Sequence, residues 1–361
     1  MHQHDIAIDA LGDDTLVRGY LEQSGVTERL ARPGVTEVAI NRPGEIWTET
    51  SAAGWVREAA PWLSLDMCEY LAGALAVFNH RDLGVKSPIK TVELPDGERG
   101  QLVIPPACER GTISMTFRKP SLERFTLEDY AQSGRFDKAN LTTLHRQTAL
   151  FDWQRKMKQC VNARQFVEFF RLAVKYKLNI IIFGGTGSGK TTFAKAVVDV
   201  YPHNRRLLTI EELNEMKLPY HLNHVHLLYG DYVTPKDLVA SCMRMKADHI
   251  LLAELTGDET WDFMELLNTG HPGTITTAHA NGRLEGYARI AGLVKQSSVG
   301  AGLDYDYIDR RVRSAFDAVL YMERTNILDV TYEPEVKQAL LNGASIDVAL
   351  SKTKQEGGCT G

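Results

Sequence analysis

The spacing of apolar residues in the first third of the chain predicts a small domain that mixes helices and strands. Apolar side chains recur at helical spacing across residues 15–31 and again across residues 66–78, where Ser64 or Asp66 is placed to cap the helix. We therefore expect an α+β domain over residues 1–120. Its strands are predicted from short β-branched or alternating runs at residues 36–40, 45–48, 54–57, 89–94, 99–104 and 111–118.

The hydrophobic pattern weakens after this domain. Polar residues dominate from 121 to 161, which predicts an interdomain linker that contains some helix and is longer than most connections within a compact domain. The end of the chain, residues 351–361, is polar and contains two adjacent glycines, which favours a flexible tail.

Strand and helix signals alternate between residues 162 and 350. An amphipathic helix is predicted at residues 162–176, directly before an apolar, β-branched run. Such alternation is typical of an α/β domain built on a doubly wound, mostly parallel sheet. Strands are predicted at residues 179–183, 206–210, 224–229, 249–253 and 273–277, and helices at residues 192–198, 234–244 and 258–267.

The segment GGTGSGKT at residues 184–191 matches the phosphate-binding loop G-x-x-x-x-G-K-[ST] at every fixed position. Glycines allow several backbone N–H groups to point at one anion, and the N-terminus of the following helix adds partial positive charge. Lys190 is predicted to contact the β- and γ-phosphates of a nucleoside triphosphate, and the Thr191 hydroxyl to bind Mg²⁺. The predicted nucleotide-binding residues are Gly184, Gly185, Thr186, Gly187, Ser188, Gly189, Lys190, Thr191 and Thr192.

Three further predicted strand ends carry polar side chains. Ligands of open parallel sheets bind outside the carboxyl ends of the strands, so these side chains are expected to meet at the phosphate loop. Glu254 is predicted to hold Mg²⁺. Glu211, in preference to its neighbour Glu212, is predicted to polarise the water that attacks the γ-phosphate. His279 is predicted to donate to the γ-phosphate or to orient Glu211.

Composition narrows the class of protein. With 43% apolar and 24% charged residues the chain has a globular composition, and its net charge of −5 disfavours general attraction to nucleic acid. We recognise no export signal and no apolar run of membrane-spanning length. The five cysteines form no C-x-x-C pair, so we expect neither a disulfide framework nor a zinc site, and we expect a reducing compartment, the cytoplasm.

Several segments resemble the secretion ATPases. TIEELNEM (209–216), RMKADHILLAELTGDET (244–260) and NTGHPGTITTAHANG (268–282) are similar to the acid box, Walker B motif and histidine box of that superfamily. In the first half, NRPGEIW (41–47), GERGQLVIPPACERGTISMTFRKPS (97–121) and TLEDYAQSG (126–134) resemble its N-terminal domain and linker. The resemblance covers nearly the whole chain, and within the superfamily it is to the traffic ATPase of bacterial type IV secretion systems.

This resemblance implies a RecA-like P-loop domain behind a smaller N-terminal domain, with ATP and Mg²⁺ as ligands. It also implies a homo-hexamer, peripheral at the cytoplasmic face of the inner membrane, that powers pilus assembly and export of DNA or protein. Its partners would be inner-membrane and cytoplasmic components of the secretion system. The acidic net charge argues against direct sequence-specific binding of nucleic acid. Glu211 becomes the catalytic acid, Glu254 the Walker B acid and His279 the histidine-box residue.

Two arginines of the N-terminal half are also implicated by the resemblance. Arg118 matches an arginine that the family directs at the nucleotide phosphates, and Arg135 is a weaker second match. The chain departs from the family pattern at Thr256, where an arginine is usual, so any role of that arginine is absent or supplied elsewhere, for instance by Arg244.

Two alternatives stay open at this point. One is the related motor of type II secretion or pilus retraction, although the four-cysteine zinc module frequent in type II motors is missing from the sequence. The other is a nucleotide-gated scaffold that binds ATP and hydrolyses little.

Overall fold

The computed structural model describes residues 3–120, 124–139 and 149–356, and shows a mixed α/β fold. The N-terminal domain is a six-stranded antiparallel sheet in the order β3-β2-β1-β6-β5-β4. Its elements are α1 (Gln3–Ser24), α2 (Val26–Ala31), β1 (Val35–Ile40), β2 (Gly44–Thr50), β3 (Gly54–Ala60), α3 (Leu65–Phe78), β4 (Ile89–Glu93), β5 (Arg99–Val103) and β6 (Ser114–Arg118).

Local sequence signals, a capping side chain and a glycine, set helix boundaries in this domain. Ser64 caps α3, since its hydroxyl accepts a hydrogen bond from the Met67 amide at 3.1 Å. The helix predicted across residues 15–31 is in fact two helices, because Gly25 adopts a left-handed φ of 79° between α1 and α2.

The two faces of the N-terminal sheet have different partners. Val38, Met115 and Phe117 point to one face and share a core with buried residues of α3 such as Leu71 and Leu75. Alternate residues of the same strands point to the other face. Those residues include Asn41, Gln101 and Thr116, which are polar, buried and bonded to the C-terminal domain.

The C-terminal domain contains the remaining elements, after the short helix α4 (Leu127–Gln132). They are α5 (Asp152–Asn162), α6 (Phe166–Lys175), β7 (Ile180–Gly184), α7 (Lys190–Val198), β8 (Leu207–Glu211), β9 (His224–Leu228), α8 (Pro235–Cys242), β10 (His249–Leu252), α9 (Glu259–Asn268), β11 (Ile275–Ala278), α10 (Arg283–Gln296), α11 (Tyr305–Ala315), β12 (Ala318–Glu323), β13 (Asn326–Tyr332), α12 (Pro334–Leu341) and α13 (Ile346–Glu356). No helix of the described residues is long and apolar enough to cross a membrane.

The strands of this domain form one mostly parallel sheet. Two ladders, β9-β8-β10 and β11-β7-β12-β13, are joined where Glu254 pairs with Thr277 in a parallel bridge. Only the β12–β13 pair is antiparallel among the described strand pairs of this domain. Successive residues of β7 alternate between two apolar cores, so both faces of the sheet are covered, as the α/β prediction required.

The structure differs from the sequence-based expectation at three places. Met157 and Cys160 of α5 belong to the C-terminal core, so the helices of this domain begin at Asp152, inside the segment expected to be linker. Helix α13 continues to Glu356, inside the expected tail, and residues 357–361 lie outside the described part. The β12–β13 hairpin was not predicted, because its turn residues Arg324 and Thr325 adopt positive φ without the usual Asn or Gly.

The two domains are held together by a buried cation. Arg206, which directly precedes β8, is fully buried. Its guanidinium donates to Asn41 at 2.7 Å and Thr116 at 3.1 Å in the N-terminal domain, and to Asn223 at 2.6 Å in its own domain. Burial lowers the pKa of Arg206 to about 10. Farther along this contact, the Leu228 amide of β9 donates to the Ala107 carbonyl at 2.9 Å.

Candidate functional site

The phosphate loop connects the carboxyl end of β7 to the first residue of α7. Gly187 and Gly189 have left-handed φ values of 73° and 88°, which residues with a side chain rarely adopt. A side chain at Gly184 would lie 2.4 Å from the carbonyl oxygen of Met322 on the neighbouring strand. The glycines are therefore needed for the path of the backbone, as the motif predicts.

The loop is built to receive an anion. Around Gly185 and Gly187 a Cβ atom would meet nothing within 4 Å, so one side of the loop is open. The Ser188 hydroxyl is buried and has no hydrogen-bond partner among the described residues. A buried polar atom without a partner is costly unless a ligand or water satisfies it. A phosphate oxygen would satisfy it, so the residues present fit a nucleotide.

Lys190, His279 and Glu254 form a continuous chain of contacts. Lys190 Nζ donates to the carbonyl oxygens of Gly184 and Gly185, each at 3.0 Å, and lies 3.4 Å from His279 Nδ1. On its other side, His279 Nε2 lies 3.0 Å from Glu254 Oε1. Because an ammonium group only donates, a neutral His279 accepts at Nδ1 and donates from Nε2 to the carboxylate. Burial lowers the pKa of Lys190, and the negative charge of Glu254 opposes that shift.

The loop after Glu254 is fixed by a residue that sequence reasoning did not select. Glu259 is buried at the first position of α9, and its Oε1 accepts hydrogen bonds from the amides of Thr256 at 2.8 Å and Gly257 at 3.0 Å. An acidic residue in the first turn of a helix was the available signal. Glu259 thereby holds the backbone directly after the predicted Mg²⁺ ligand.

Glu211 ends β8 in a buried position. Its Oε2 accepts hydrogen bonds from the amides of Glu215 at 3.0 Å and Met216 at 2.7 Å, which fixes the acid-box loop. Its Oε1 has no hydrogen bond among the described residues and lies 3.7 Å from His226 Nδ1. Burial raises the pKa of Glu211, but the nearby His226 and Thr209 and the two amides outweigh burial and lower it overall.

Glu211 is separated from the phosphate loop across the sheet. Two strands, β10 and β11, separate β8 from β7, so Glu211 lies about 14 Å from the phosphate-loop strand measured across the sheet. The same loop presents two other carboxylates, Glu212 and Glu215, which are exposed. A group that activates water must be reachable by water, which favours the exposed Glu212 and Glu215 over the buried Glu211.

Arg118 does not lie at the phosphate loop of its own chain. It lines a cleft together with Lys246, Ala247 and His271, which precede the amino ends of β10 and β11. The phosphate loop, Glu254 and His279 lie at the carboxyl ends of the parallel strands. Arg118 and the phosphate loop are therefore at opposite ends of the parallel strands, on opposite edges of one sheet.

The other two arginines have their described contacts elsewhere than at the phosphate loop. Arg244 lines the same cleft as Arg118, so within one chain it does not supply the charge missing at Thr256. Arg135 stacks on the aromatic rings of Phe125 and Tyr130, at 4.2 and 4.9 Å from the ring centres. Its contacts are thus within the segment that follows the N-terminal domain.

Comparisons with known proteins show the family to which this chain is similar. The family model described as Type II/IV secretion system protein matches residues 21–322. The type IV secretion system protein VirB11 of Brucella abortus is 40% identical over 323 residues, covering 85% of this chain and 88% of that protein. The VirB11 of Bartonella quintana is 34% identical over 353 residues, covering 92% of this chain and 98% of that protein.

A solved structure shares the whole architecture. The crystal structure of the VirB11 ATPase from the Brucella suis type IV secretion system superposes with a TM-score of 0.87 at 39% identity, covering 92% of this chain and 99% of that one. The family model, the relatives and this structure all span both domains. The chain therefore belongs to the type II/IV secretion family, on its branch of VirB11-type type IV secretion ATPases.

Proposed function

We propose that this protein hydrolyses ATP and uses the energy to drive transport through a type IV secretion system. The observation that supports this most is the chain Lys190–His279–Glu254 beside the phosphate loop. It joins the residue expected to contact the γ-phosphate to the residue expected to hold Mg²⁺. The VirB11 ATPase of Brucella suis was crystallised with sulphate, an anion similar in shape to phosphate, which agrees with an anion site in this fold.

Each residue has a defined task in this proposal. The amides of residues 185–190 and the Lys190 ammonium bind the phosphates, and the Thr191 hydroxyl and Glu254 hold Mg²⁺. When bound, Mg²⁺ neutralises negative charge on the phosphates during transfer. His279 reports the state of the γ-phosphate to Glu254, because the two ring nitrogens contact Lys190 and Glu254. An acid of the loop polarises the attacking water: Glu211 does so if its buried Oε1 becomes accessible to water, and the exposed Glu212 and Glu215 are the alternatives.

The proposed site is completed by a second copy of the chain. Arg118 lies at the opposite edge of the sheet from its own phosphate loop, so it reaches a nucleotide only on a neighbouring subunit. There it neutralises charge on the transferred phosphoryl group, as an arginine finger does. Such a contact joins two different surfaces and closes into a ring when the rotation between copies allows it. Six copies are implied by the family resemblance.

The cellular setting follows from the same resemblance. We propose a peripheral location at the cytoplasmic face of the inner membrane, where the ring contacts inner-membrane and cytoplasmic components of the secretion machine. The energy of ATP hydrolysis would power pilus assembly and export of DNA or protein. In this arrangement the motor acts on partner proteins and has no sequence-specific contact with nucleic acid.

The test combines the mass of the protein in solution with its rate of ATP hydrolysis. The purified full-length chain is measured by light scattering, with and without Mg·ATP, and phosphate release is followed over a range of protein concentration. The proposal requires a closed oligomer, and turnover per subunit that rises as the oligomer forms. A monomer that hydrolyses ATP at full rate would contradict the shared site, and an oligomer without hydrolysis would contradict the motor.

A further inference from the structure

A buried histidine lies beside the acid-box glutamate. His226 belongs to β9, and the register of the parallel ladder places it next to Thr209 of β8. Side chains two residues apart on a strand point to the same face, so Glu211 lies on the same face as Thr209 and His226. All three side chains are buried. The sheet therefore brings a histidine, a hydroxyl and a carboxylate together away from solvent.

The carboxylate of Glu211 is only half satisfied by the acid-box loop. Its Oε2 accepts hydrogen bonds from the amides of Glu215 and Met216, whereas its Oε1 is buried without a hydrogen bond among the described residues. Leaving a buried carboxylate oxygen without a compensating group is costly. His226 Nδ1 lies 3.7 Å from Oε1, within the distance of an ion pair. His226 is thus placed to compensate the oxygen that the loop leaves unbonded.

Thr209 selects the tautomer of His226. The Nδ1 atom lies 2.9 Å from Thr209 Oγ1, as well as near Glu211 Oε1. A carboxylate only accepts hydrogen bonds, whereas a hydroxyl both donates and accepts. A lone pair on Nδ1 would therefore repel the carboxylate. With a proton on Nδ1, the ring donates to Thr209 and places the partial positive charge of that N–H beside Glu211.

What holds Glu211 also holds the acids that water can reach. Glu212 and Glu215 are exposed, and the backbone amide of Glu215 is bonded to the Glu211 carboxylate itself. The amide of Met216 is bonded to the same oxygen, and its side chain is packed in the apolar core on one face of the sheet. The path of the loop, and with it the position of its exposed carboxylates, therefore depends on Glu211.

We propose that His226 is a positioning residue for ATP hydrolysis, which acts through Glu211. His226 and Thr209 hold the buried carboxylate in place, the carboxylate holds the amides of Glu215 and Met216, and the loop thereby presents its acids to the nucleotide. His226 touches no reacting atom in this scheme. The inference rests on the proposed function for the reaction, whereas the holding of the loop can be measured without nucleotide.

The first experiment measures hydrogen exchange of the full-length protein. His226→Leu removes the donor at similar volume, and we expect the amides of Glu215 and Met216 to exchange about tenfold faster than in the parent. His226→Asn keeps an N–H donor near the place of Nδ1 and is expected to stay close to the parent. The matched control is His224→Asn, on the same strand, because His224 Nδ1 contacts the carbonyl of His221 instead of Glu211. This control is expected to exchange like the parent.

The second experiment is a double-mutant cycle in steady-state kinetics. In the parent, His226→Leu is expected to lower kcat about tenfold with little change in KM, because the phosphate loop is untouched. In the Glu211→Gln background, the same change is expected to add little, since the charge that His226 compensates is already gone. His226→Asn is expected to restore most of the lost turnover. Equal losses in both backgrounds would show that His226 does not act through Glu211.

Denaturant unfolding separates this role from a purely structural one. If His226→Leu lowers the free energy of unfolding but leaves amide exchange and kcat as in the parent, then His226 is a structural residue and the inference is wrong. If His226→Leu does not fold, Thr209→Val replaces it, since this change keeps the volume and removes the hydroxyl that fixes the ring. It is expected to speed exchange and lower kcat in the same direction, and unchanged values would overturn the inference.

The exchange measurement also separates this inference from the proposed function. A parent protein that hydrolyses no ATP would contradict the proposed function. In that case, faster exchange in His226→Leu would still assign the holding of the acid-box loop to His226. Exchange that matches the parent would reject that assignment as well.

Discussion

Lys190 and Arg118 lie at opposite edges of the same central sheet. Lys190 follows the carboxyl end of β7, whereas Arg118 lines a cleft with residues that precede the amino ends of β10 and β11. Strands of four or five residues span about 15 Å. One chain therefore does not bring both cations to one phosphate, but two chains in head-to-tail contact can do so.

Mixing two inactive variants tests this relationship. Arg118→Ala is expected to keep nucleotide binding and lose about 100-fold or more in turnover, because the arginine acts on charge that develops during transfer. Lys190→Ala is inactive for a different reason. In a mixed assembly, some contacts pair the Arg118 of one variant with the Lys190 of the other, so phosphate release is expected to recover partly. A mixture that stays at the level of the single variants after subunit exchange would argue against a shared site.

Lys190→Ala alone is expected to lower hydrolysis at least about 100-fold while the fold is kept. Lys190 Nζ is the cation that contacts the loop carbonyls and His279, and the structure places no other described lysine in that position. Phosphate release and circular dichroism are measured on the same sample. Lys195→Ala, on the last turn of the same helix, serves as the control and is expected to retain activity.

The acid-box loop offers a comparison of three carboxylates. Glu211→Gln keeps an acceptor for the amides of Glu215 and Met216 but removes the negative charge, so we expect ATP to bind and turnover to fall about tenfold or more. Glu212→Gln and Glu215→Gln are measured in parallel. If Glu215→Gln abolishes turnover and Glu211→Gln retains part of it, then Glu215 activates the water and Glu211 holds the loop.

His279→Asn is expected to lower kcat about 10- to 100-fold with a smaller change in KM. The ring nitrogens of His279 contact Lys190 at 3.4 Å and Glu254 at 3.0 Å, and a shorter amide cannot span both. Steady-state kinetics over a range of ATP and Mg²⁺ separates the two parameters. His80→Asn is a suitable control, because His80 is exposed and its positive φ of 52° suits asparagine.

Glu37 predicts a pH dependence of stability. Burial, opposed by the charges of Arg118, Lys246 and Arg206 and aided by Glu49, raises the pKa of Glu37 from 4.5 to about 7. A raised folded-state pKa means that its contribution to stability is complete below pH 4.5 and is lost as the pH rises through about 7.

Glu37→Gln removes this titration. Its free energy of unfolding relative to the parent is expected to rise between pH 5 and pH 8, by roughly 3 kcal/mol at most. Denaturant unfolding at the two pH values measures the difference. A constant difference across this range would mean that Glu37 titrates normally.

Much of this molecule could be predicted from its sequence because the decisive signals are local. The phosphate-loop glycines, the apolar strand before them and the Ser64 cap each act within a few residues. The buried state of Glu211 could not be foreseen, since it depends on amides that return from the loop beyond the strand. Nor could the position of Arg118, because it depends on how one domain docks on the other.

The buried guanidinium of Arg206 has a consequence for how such a machine would move. It is bonded to both halves of the subunit, and separating them would expose or strand a charge that now has a partner on every side. Breaking the hydrogen bonds of a buried guanidinium costs several kcal/mol, which is a large fraction of the free energy of unfolding of a typical protein. In the proposed assembly, each subunit is therefore expected to move as one rigid body, with relative motion confined to the contacts between subunits.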